Sequence, residues 1–425
     1  MAINYDNLSE LQLMAFDKAL KSNEKVTRIG GYAGTGKTTV LACLAEVLGG
    51  GCVVLAPTNK AAQVLRGKGI EKVQTIHSLL YMPIETPIYK LDEAGEVARD
   101  EGGLPTVLDV EVSFAFNSDG IEAKNLPPIA LVDEASMIGE DIMRDLLSAF
   151  DRVIFFGDPF QLPPVRSSGG VMCASSVLDI EMKEVHRVAL ENPITRYATL
   201  IREGNEPRLE DMNFEEIRHC SINHPRLYQT IADKDVQAIC FRNSLRHFIN
   251  ERVRLAKGYR PYTLLPEEPI ICLQNIRVAD SDPFGDGGRR RLVMYNGQTM
   301  QQDGSFEETG DHFGAVRINP DITLPAGVEI KTWPFWNEGF FKAKENRLEW
   351  NEEINVQKAM GGFRFGSDFD YAYCLTAHKA QGSEYDKVAV FDERSSMRHS
   401  SHSDRQRWFY TSITRAKEKV LVVRT

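Results

Sequence analysis

The sequence lacks a run of 18 or more apolar residues, a pair of cysteines spaced C-x-x-C and any low-complexity tract. The first absence argues against a membrane-spanning helix. The seven cysteines are dispersed, which is typical of reduced thiols in a cytosolic protein and argues against structural zinc. Early acidic residues, without a basic-then-apolar leader, argue against a secretory signal. We therefore expect a cytoplasmic protein that has no membrane partner.

The composition is that of a globular protein, with 42% hydrophobic and 26% charged residues. A chain of 425 residues is too long for one ordinary core, so two or more domains are expected. The net charge of -10 argues only mildly against nucleic acid as a partner, because a phosphate-binding groove needs local positive charge alone. His399 and His402 lie in a Ser/Arg-rich stretch that we interpret as a solvated loop, not a metal site.

Short apolar strands alternate with polar turns and helices along most of the chain, as in VTRIGG before GTGKTTVLACLAEVL and IALVDEAS before EDIMRDLLSAF. This alternation predicts an α/β fold with largely parallel sheets. Residues 81–124 are rich in Pro, Gly, Asp and Glu, which indicates a small insertion. Residues 276–364 mix short β-like runs with turn residues, which indicates a β-rich module.

The segment GYAGTGKT, from Gly31 to Thr38, matches G-x-x-x-x-G-K-[ST] between a predicted strand and a predicted helix. Glycines allow the backbone N–H groups to surround phosphate oxygens, and the helix start adds its positive dipole end. Lys37 can reach the terminal phosphates, and the Thr38 hydroxyl can bind Mg²⁺. A chance glycine loop is the alternative, which these flanking elements disfavour. The predicted ATP-binding residues of this loop are Gly34, Thr35, Gly36, Lys37, Thr38 and Thr39.

The second half of such a site is a strand that ends in an acid, and residues 129–134 provide it. We expect Asp133 to hold Mg²⁺ and Glu134 to orient or deprotonate the attacking water. A solvated turn is the alternative for two adjacent acids. Gln161, in GDPFQLPPV after the next strand, could touch the γ-phosphate. Arg187 and Arg415 could neutralise its developing charge, although isolated arginines are usually surface residues.

Five segments resemble, in order, the motifs of the superfamily 1 DNA helicases: GYAGTGKTT, LVDEAS, GDPFQLPPV, LTAHKAQGSEYDKV and YTSITRAKEKVLVV. The third resembles the B branch, which includes RecD-like enzymes, and the overall size resembles phage members of that branch. The resemblance implies two RecA-like P-loop domains with parallel sheets and ATP between them. The implied domains are 1-80 with 125-185 (1A), 81-124 (insertion 1B, a possible pin), 186-275 with 365-425 (2A) and 276-364 (SH3-like insertion 2B).

The resemblance also implies roles for residues around the nucleotide. Gln12 matches a glutamine that reads adenine, with a surface glutamine on an amphipathic helix as the alternative. Arg187 and Arg415 match two arginine fingers, and Glu384 matches an acid that approaches the ribose. His186 stands where the family often has an aromatic residue that stacks on the base, and an imidazole can also stack there.

For the DNA strand, the resemblance implies contacts from both RecA-like domains that follow the backbone without reading sequence. A satisfied buried histidine is the alternative for His77 and for His378. In the insertions, Asn296-Gly297-Gln298 best matches an SH3-like module. Tyr89, Phe114 and Phe116 are candidates for a strand-separating pin, although core packing is the plainer interpretation of the two phenylalanines. The implied strand contacts are Pro57, Thr58, Asn59, Thr75, His77, Arg242, Asn243, Thr376 and His378.

Together these patterns predict an ATP- and Mg²⁺-dependent DNA helicase that moves 5′-to-3′ on single-stranded DNA in phage replication, recombination or repair. The expected partners are single-stranded and forked DNA, together with single-strand-binding or other replication proteins. A monomer in the host bacterial cytoplasm is expected, because one chain provides both arginines. The alternatives are a translocase with weak unwinding, a P-loop kinase or ATPase indifferent to DNA, and a binding module without turnover.

Overall fold

A computed structural model describes most of the chain and places it in an α/β fold with two parallel sheets. No helix in the described part of the chain is long and apolar enough to cross a membrane. The described residues are 8–70, 72–89, 96–99, 102–105, 107–118, 120, 125–164, 170–172, 177–183, 192–207, 215–233, 235–259, 268–272, 276–279, 290–294, 299–301, 306–309, 313–316, 333–335 and 369–425.

Two compact units divide the chain. The first contains both parallel sheets and consists of Met1–Met82, Ala115–Asn243 and Leu375–Thr425. The second consists of Pro83–Phe114 and Ser244–Cys374.

The first sheet has six parallel strands in the order β3-β2-β6-β7-β1-β8. Its central strands are short, mainly apolar and largely buried, as expected when helices cover a parallel sheet, whereas the two edge strands are more exposed. The six strands are β1 (Val26–Gly31), β2 (Cys52–Ala56), β3 (Val73–Thr75), β6 (Ile129–Val132), β7 (Arg152–Gly157) and β8 (Ile180–Met182). The accompanying helices are α1 (Glu10–Lys21), α2 (Lys37–Leu48), α3 (Asn59–Gly67), α4 (Ile76–Leu80) and α5 (Glu140–Ala149).

The second sheet has five strands in the order β19-β10-β20-β21-β9, and the pairs from β10 to β9 are parallel. The fully buried Trp408, Phe409 and Tyr410 pack its helices against it. Its strands are β9 (Ile217–Ser221), β10 (Gln237–Cys240), β19 (Cys374–Thr376), β20 (Tyr385–Asp392) and β21 (Ala416–Arg424). Its helices are α6 (Pro193–Arg202), α7 (Leu227–Asp233), α9 (Ala377–Ala380) and α10 (His402–Ile413).

The stretch expected to be a small insertion contains a pair of strands, β4 (Tyr81–Tyr89) and β5 (Val107–Phe116). The second unit also contains helix α8 (Asn243–Ala256) from Ser244 onward. On that helix Arg254 forms a buried ion pair with Glu268, 2.7 Å from Nε to Oε1. Its remaining strands are β11 (Pro269–Cys272), β12 (Ile276–Ala279), β13 (Arg290–Met294), β14 (Thr299–Gln301), β15 (Phe306–Thr309), β16 (Phe313–Val316), β17 (Trp333–Phe335) and β18 (Phe369–Tyr371).

The expected α/β class with parallel sheets is confirmed. Strands β12 to β17 fall in the stretch expected to be β-rich, and their described pairings are antiparallel. The SH3-like architecture of this stretch and the four domain boundaries stay predictions. Asn296, Gly297 and Gln298 lie outside the described residues.

Candidate nucleotide site and nucleic-acid interface

The phosphate loop connects strand β1 to helix α2. Gly34 and Gly36 have φ angles of 79° and 78°, a left-handed conformation that glycine adopts without strain. Helix α2 starts after Gly36 without a side-chain cap, so its first N–H groups meet no capping oxygen. Lys37 Nζ donates to the carbonyls of Gly31 at 2.7 Å and Tyr32 at 3.0 Å. The loop therefore presents the N–H groups and the ammonium that bind phosphate.

The two acids after strand β6 stand beside this loop. Asp133 is 8% exposed, and its N–H donates to the Leu55 carbonyl at 3.0 Å. Burial, and then the charge of Glu134, raises the pKa of Asp133 to about 6, while Lys37 opposes the shift. A bound cation would stabilise the ionised form. Because carboxylate and hydroxyl oxygens suit Mg²⁺, Asp133 and Thr38 fit that ion.

A buried tyrosine hydroxyl connects the phosphate loop to the segment after strand β7. Tyr410 Oη accepts a hydrogen bond from the Ala33 N–H at 3.0 Å and donates to Asp158 Oδ2 at 2.7 Å. Asp158 is fully buried and also accepts from the Phe160 N–H at 2.9 Å. Burial raises the pKa of both side chains. Since Tyr410 lies on helix α10, one hydroxyl joins residues that accompany both sheets.

Gln161 has a buried polar atom that fits an incoming ligand. Its side chain lines the cavity described below and is 6% exposed. Its Oε1 has no hydrogen-bond partner among the described residues. Buried polar atoms are nearly always paired in proteins, so an unpaired one is suited to a group that arrives with the substrate.

One cavity of about 800 Å³ gathers most of the expected nucleotide residues. The first sheet contributes the phosphate loop, the two acids and Gln161, and the second contributes an arginine and a glutamate. The expected residues that line it are Gly34, Gly36, Lys37, Thr38, Thr39, Asp133, Glu134, Gln161, Glu384 and Arg415. Thr35 is buried instead, and its Oγ1 donates to the Tyr32 carbonyl at 2.9 Å.

Arg415 is held firmly at the cavity wall. Its Nε donates to the Thr411 carbonyl at 3.1 Å, and its Nη1 donates to the Ser383 carbonyl at 3.3 Å. It is 5% exposed, so its charge acts in a largely water-excluded setting. A fixed guanidinium at a nucleotide cavity can stabilise charge on a transferring phosphoryl group.

Gln12, like Thr35, is not among the described residues that line the cavity. Gln12 is buried, its Nε2 donates to the Thr35 carbonyl at 3.2 Å, and its Oε1 accepts from the Ser9 N–H at 2.9 Å. Gln12 thus caps helix α1 and touches the phosphate loop, and its contact with adenine stays a prediction. Arg187, like His186, lies outside the described residues, so its role as an arginine finger stays a prediction.

On the first sheet, the expected strand-contact threonines are helix caps. Thr58 Oγ1 accepts from the Ala61 N–H at 3.1 Å, and Thr75 Oγ1 accepts from the Ser78 N–H at 3.2 Å. Pro57 and Asn59 flank the first of these caps. His77 is exposed, and its ring stacks on Tyr81 with 5.0 Å between centroids. Its imidazole is thus one of the accessible polar groups of this region.

On the second sheet, the residues expected to contact DNA lie at or after the ends of two neighbouring β-strands, β10 and β19. Arg242 and Asn243 follow β10 and are exposed. Thr376 ends β19 and precedes helix α9 without a side-chain cap bond. His378 lies on that helix and is half-buried, which lowers its pKa.

Comparisons with known proteins place these observations in a family. The AAA domain family matches residues 7–220, and the UvrD-like helicase C-terminal domain matches residues 371–423. The chain is 29% identical to the ATP-dependent DNA helicase Dda of Enterobacteria phage T4, over 99% of this chain and 100% of that protein. It is 26% identical to the ATP-dependent RecD2 DNA helicase of Deinococcus radiodurans. The chain belongs to the superfamily 1B DNA helicases.

Solved structures share the fold of this chain. A Pif1 helicase from Bacteroides bound to single-stranded DNA aligns with 98% of this chain and 92% of its own, with a TM-score of 0.50 and 18% identity. This likeness concerns the fold. The RecD2 alignment covers 97% of this chain but 48% of RecD2, so the chain spans about half of that relative.

Sequence reasoning missed several residues of this superfamily 1B site. Asn192 and Thr195 line the cavity from the start of helix α6, and Lys68 lines it from the end of α3. The Asn-Pro pair is a recognisable helix start, which could have indicated the first two. Tyr410 lies inside the last motif, but its bonds to Ala33 and Asp158 depend on tertiary packing. Nothing in the local sequence singles out Lys68.

The candidate pin aromatics differ in exposure. Phe116 packs edge-on against Tyr81, with 6.1 Å between centroids, and joins the core as expected. Phe114 was also expected to be a core residue, but it is 38% exposed. Tyr89 is 40% exposed. The two exposed aromatics therefore stay candidates for contact with bases.

Proposed function

We propose that this helicase is an ATP-driven motor that moves 5′-to-3′ along single-stranded DNA and unwinds duplex DNA ahead of it. The observation that carries the proposal is the single cavity lined by the phosphate loop of the first sheet and by Arg415 of the second. A nucleotide held there contacts both sheets at once. Its hydrolysis changes the charge that they share, and this charge change can alter their spacing.

Each residue of the nucleotide site has a proposed role in binding or hydrolysing ATP. Lys37 binds the terminal phosphates, and Thr38 and Asp133 would hold Mg²⁺, which neutralises phosphate charge when bound. Glu134 orients or deprotonates the attacking water, and Gln161, with its unpaired Oε1, lines the same cavity. Arg415 stabilises developing charge on the γ-phosphate, and Arg187 is proposed as its partner. Gln12 and Glu384 are proposed to contact the base and the ribose.

The strand contacts fit a motor that ignores sequence. Thr58, Thr75 and Thr376 each precede a helix, and the N–H groups at a helix start can bind phosphates. Arg242, Asn243, His77 and His378 add side-chain donors at accessible positions. Contacts with phosphates let a protein slide, because every nucleotide presents the same group. Pro57 and Asn59 are proposed to shape the strand contact at Thr58, which they flank.

The paired strands β4 and β5 favour unwinding over translocation alone. Leu104, between the two strands, is 66% exposed, and Tyr89 at the end of β4 is 40% exposed. Arg99 Nη1 donates to the Gly103 carbonyl at 2.7 Å, and both residues also lie between the two strands in sequence. Exposed apolar side chains on a ribbon can stack on bases and part them. We propose that this ribbon is the strand-separating pin.

The cellular setting is proposed from likeness to Dda of phage T4. It is replication, recombination or repair of phage DNA in the host cytoplasm, alongside single-strand-binding or other replication proteins. A monomer suffices, because one chain supplies Lys37 and Arg415 to the same cavity.

The test uses three duplexes: one with a 5′ single-stranded tail, one with a 3′ tail and one blunt. ATP turnover is measured with and without single-stranded DNA. We expect turnover to rise with DNA and unwinding to require the 5′ tail. Stimulated turnover without unwinding would identify a translocase, and unwinding from the 3′ tail would reverse the polarity. Turnover indifferent to DNA would leave a P-loop ATPase of another kind.

A further inference from the structure

A fully buried carboxylate outside the nucleotide cavity fixes one of the proposed strand contacts. Glu393 has a side-chain exposure of 0% and lies directly after strand β20. Its Oε2 accepts hydrogen bonds from the N–H groups of Phe241 at 2.6 Å and Arg242 at 3.1 Å. Its Oε1 accepts from Arg242 Nε at 2.5 Å. Three donors from one turn thus converge on one acid.

The sheet register places this acid opposite that turn. Strands β10 and β20 are parallel, with Gln237 opposite Val388 and Ile239 opposite Val390. The same offset continued past both strand ends brings Arg242 to Glu393. Parallel neighbours end at the same edge of a sheet, so the two loops meet there.

The residues next to Glu393 and next to Arg242 are held by their own contacts. Arg394 donates to Asp392 Oδ2 at 2.7 Å and to Glu206 Oε2 at 2.6 Å. Its guanidinium carbon lies 3.6 Å from the centroid of the Phe409 ring. On the other side, the Phe241 ring packs edge-on against buried Trp408. Both loops are therefore anchored to the core, and the position of Glu393 is fixed by packing.

The Arg242 side chain is held at its Nε atom, and its guanidinium is accessible to solvent. It is 51% exposed, and Glu393 is the partner that the structure gives it among the described residues. The Nε edge and the backbone N–H are bonded to the acid, and the half-exposed guanidinium makes no further hydrogen bond among the described residues, so its Nη1 and Nη2 donors are available to a ligand. Two parallel N–H donors of a guanidinium match two oxygens of a phosphate.

We propose that Glu393 is a positioning residue for strand binding: it holds the Arg242 guanidinium in the orientation that receives a backbone phosphate. The inference rests on the proposed strand contact of Arg242. A long side chain that is already ordered loses less conformational freedom when it binds. Glu393 thus raises strand affinity without touching DNA, and it leaves the number of phosphate charges neutralised unchanged.

The experiment measures affinity for an oligothymidine strand at several salt concentrations, with DNA-stimulated ATP turnover in parallel. Glu393→Gln should weaken strand affinity about two- to tenfold, the cost of ordering one long side chain on binding. Because the Arg242 charge remains, the salt dependence should stay as in the wild type. Arg242→Ala should weaken affinity and also lower the salt slope by about 0.7, the value for one phosphate on a single strand.

Two further variants separate orientation from charge. Arg242→Lys keeps the charge and leaves Glu393 intact, but it removes the Nε donor, so it should reproduce Glu393→Gln even if the latter folds poorly. In an Arg242→Ala background, Glu393→Gln should add no further loss of affinity. In Glu393→Gln the DNA concentration for half-maximal turnover should rise, while the rate at saturating DNA stays close to that of the wild type.

The matched control is Glu268→Gln, which breaks another buried arginine–carboxylate pair, that with Arg254. It should bind the strand as the wild type does. Equal strand affinity in Glu393→Gln and Glu268→Gln would overturn the inference, as would an undiminished effect of Glu393→Gln in the Arg242→Ala background. A wild-type protein whose turnover ignores DNA would instead overturn the proposed function itself.

Discussion

The nucleotide cavity and the proposed strand contacts differ in how they use side chains. In the cavity, Lys37, Glu134 and Gln161 direct functional groups at one small volume. At the strand contacts, the Thr58 and Thr75 hydroxyls are already bonded to helix N–H groups. A fixed substrate is bound by side chains that converge, whereas a polymer that slides can be bound by helix ends and a few exposed donors. The following changes test this contrast, from the largest expected effect to the smallest.

Lys37→Ala should lower ATP turnover about 10³-fold, because it removes the ammonium that faces the phosphates. The fold should persist, since Lys37 bonds only loop carbonyls among the described residues. A steady-state phosphate-release assay measures the loss, with Lys183→Ala, an exposed lysine, as the control. Normal hydrolysis in Lys37→Ala would refute the phosphate-site assignment.

Arg415→Ala should preserve ATP binding and lower the maximal turnover about 10³-fold, the order seen for arginine fingers. Binding of a fluorescent ATP analogue and the rate at saturating ATP separate these two effects. Arg424→Ala is the control, because Arg424 is exposed on strand β21 and does not line the nucleotide cavity. Unchanged turnover would remove Arg415 from the site.

Tyr410→Phe should lower maximal turnover about tenfold, since buried Asp158 loses a donor and Ala33 loses an acceptor. Its matched control is Tyr197→Phe, which also removes a buried hydroxyl, one bonded to Glu206 at 3.1 Å. Both variants should lose stability, by about 1–3 kcal/mol, but only the first should lose turnover. Equal turnover in the two would mean that the Tyr410 hydroxyl serves stability alone.

Variants of Thr75 and of His77 distinguish the effect of a helix cap on stability from the effect of an exposed hydrogen-bond donor on strand affinity. Thr75→Ala should lower the free energy of unfolding by about 1 kcal/mol, and Thr75→Ser should keep the cap. His77→Ala should weaken strand affinity about threefold, the worth of one hydrogen bond. Chemical denaturation and strand titration measure the two effects. Full strand affinity in His77→Ala would mean that the N-terminus of helix α4, and not the His77 side chain, contacts the strand.

The smallest effect concerns pH. Burial holds the pKa of His378 below its ordinary value of 6.5. The unfolded chain therefore takes up a proton before the native protein does. The free energy of unfolding is therefore unaffected by His378 above the unfolded pKa of 6.5. It falls as the pH drops from there to the lower pKa of the native protein. His378→Gln should lessen the loss of unfolding free energy between about pH 7.5 and about pH 5.5. An identical loss in the variant would contradict the burial of His378.

Much of the fold and the nucleotide site could be predicted from local pattern. The apolar strand before Asp133 and the glycine loop before Lys37 each mark a strand end in a parallel sheet, and such ends carry ligand sites. The helix start at Asn192 is recognisable in the sequence, but its place beside the nucleotide, like that of Lys68, could not be predicted, because residues far apart in sequence share the cavity only after folding. The exposure of Phe114 differed from expectation. Phe114 and Phe116 are two positions apart on β5 and so share a face of the strand, but Phe116 lies where the strand meets Tyr81 and the core, and a local pattern does not show where that core ends.

The sequence by itself determined the α/β class, the phosphate loop, the acid pair and the superfamily 1B motifs, because these depend on residue spacing within single elements. Only the tertiary structure decided that Arg415 reaches the same cavity as Lys37 and that Tyr410 joins the phosphate loop to Asp158. It also decided that Glu393 lies opposite Arg242. Those pairings depend on sheet register and packing, which bring together residues that no local pattern connects.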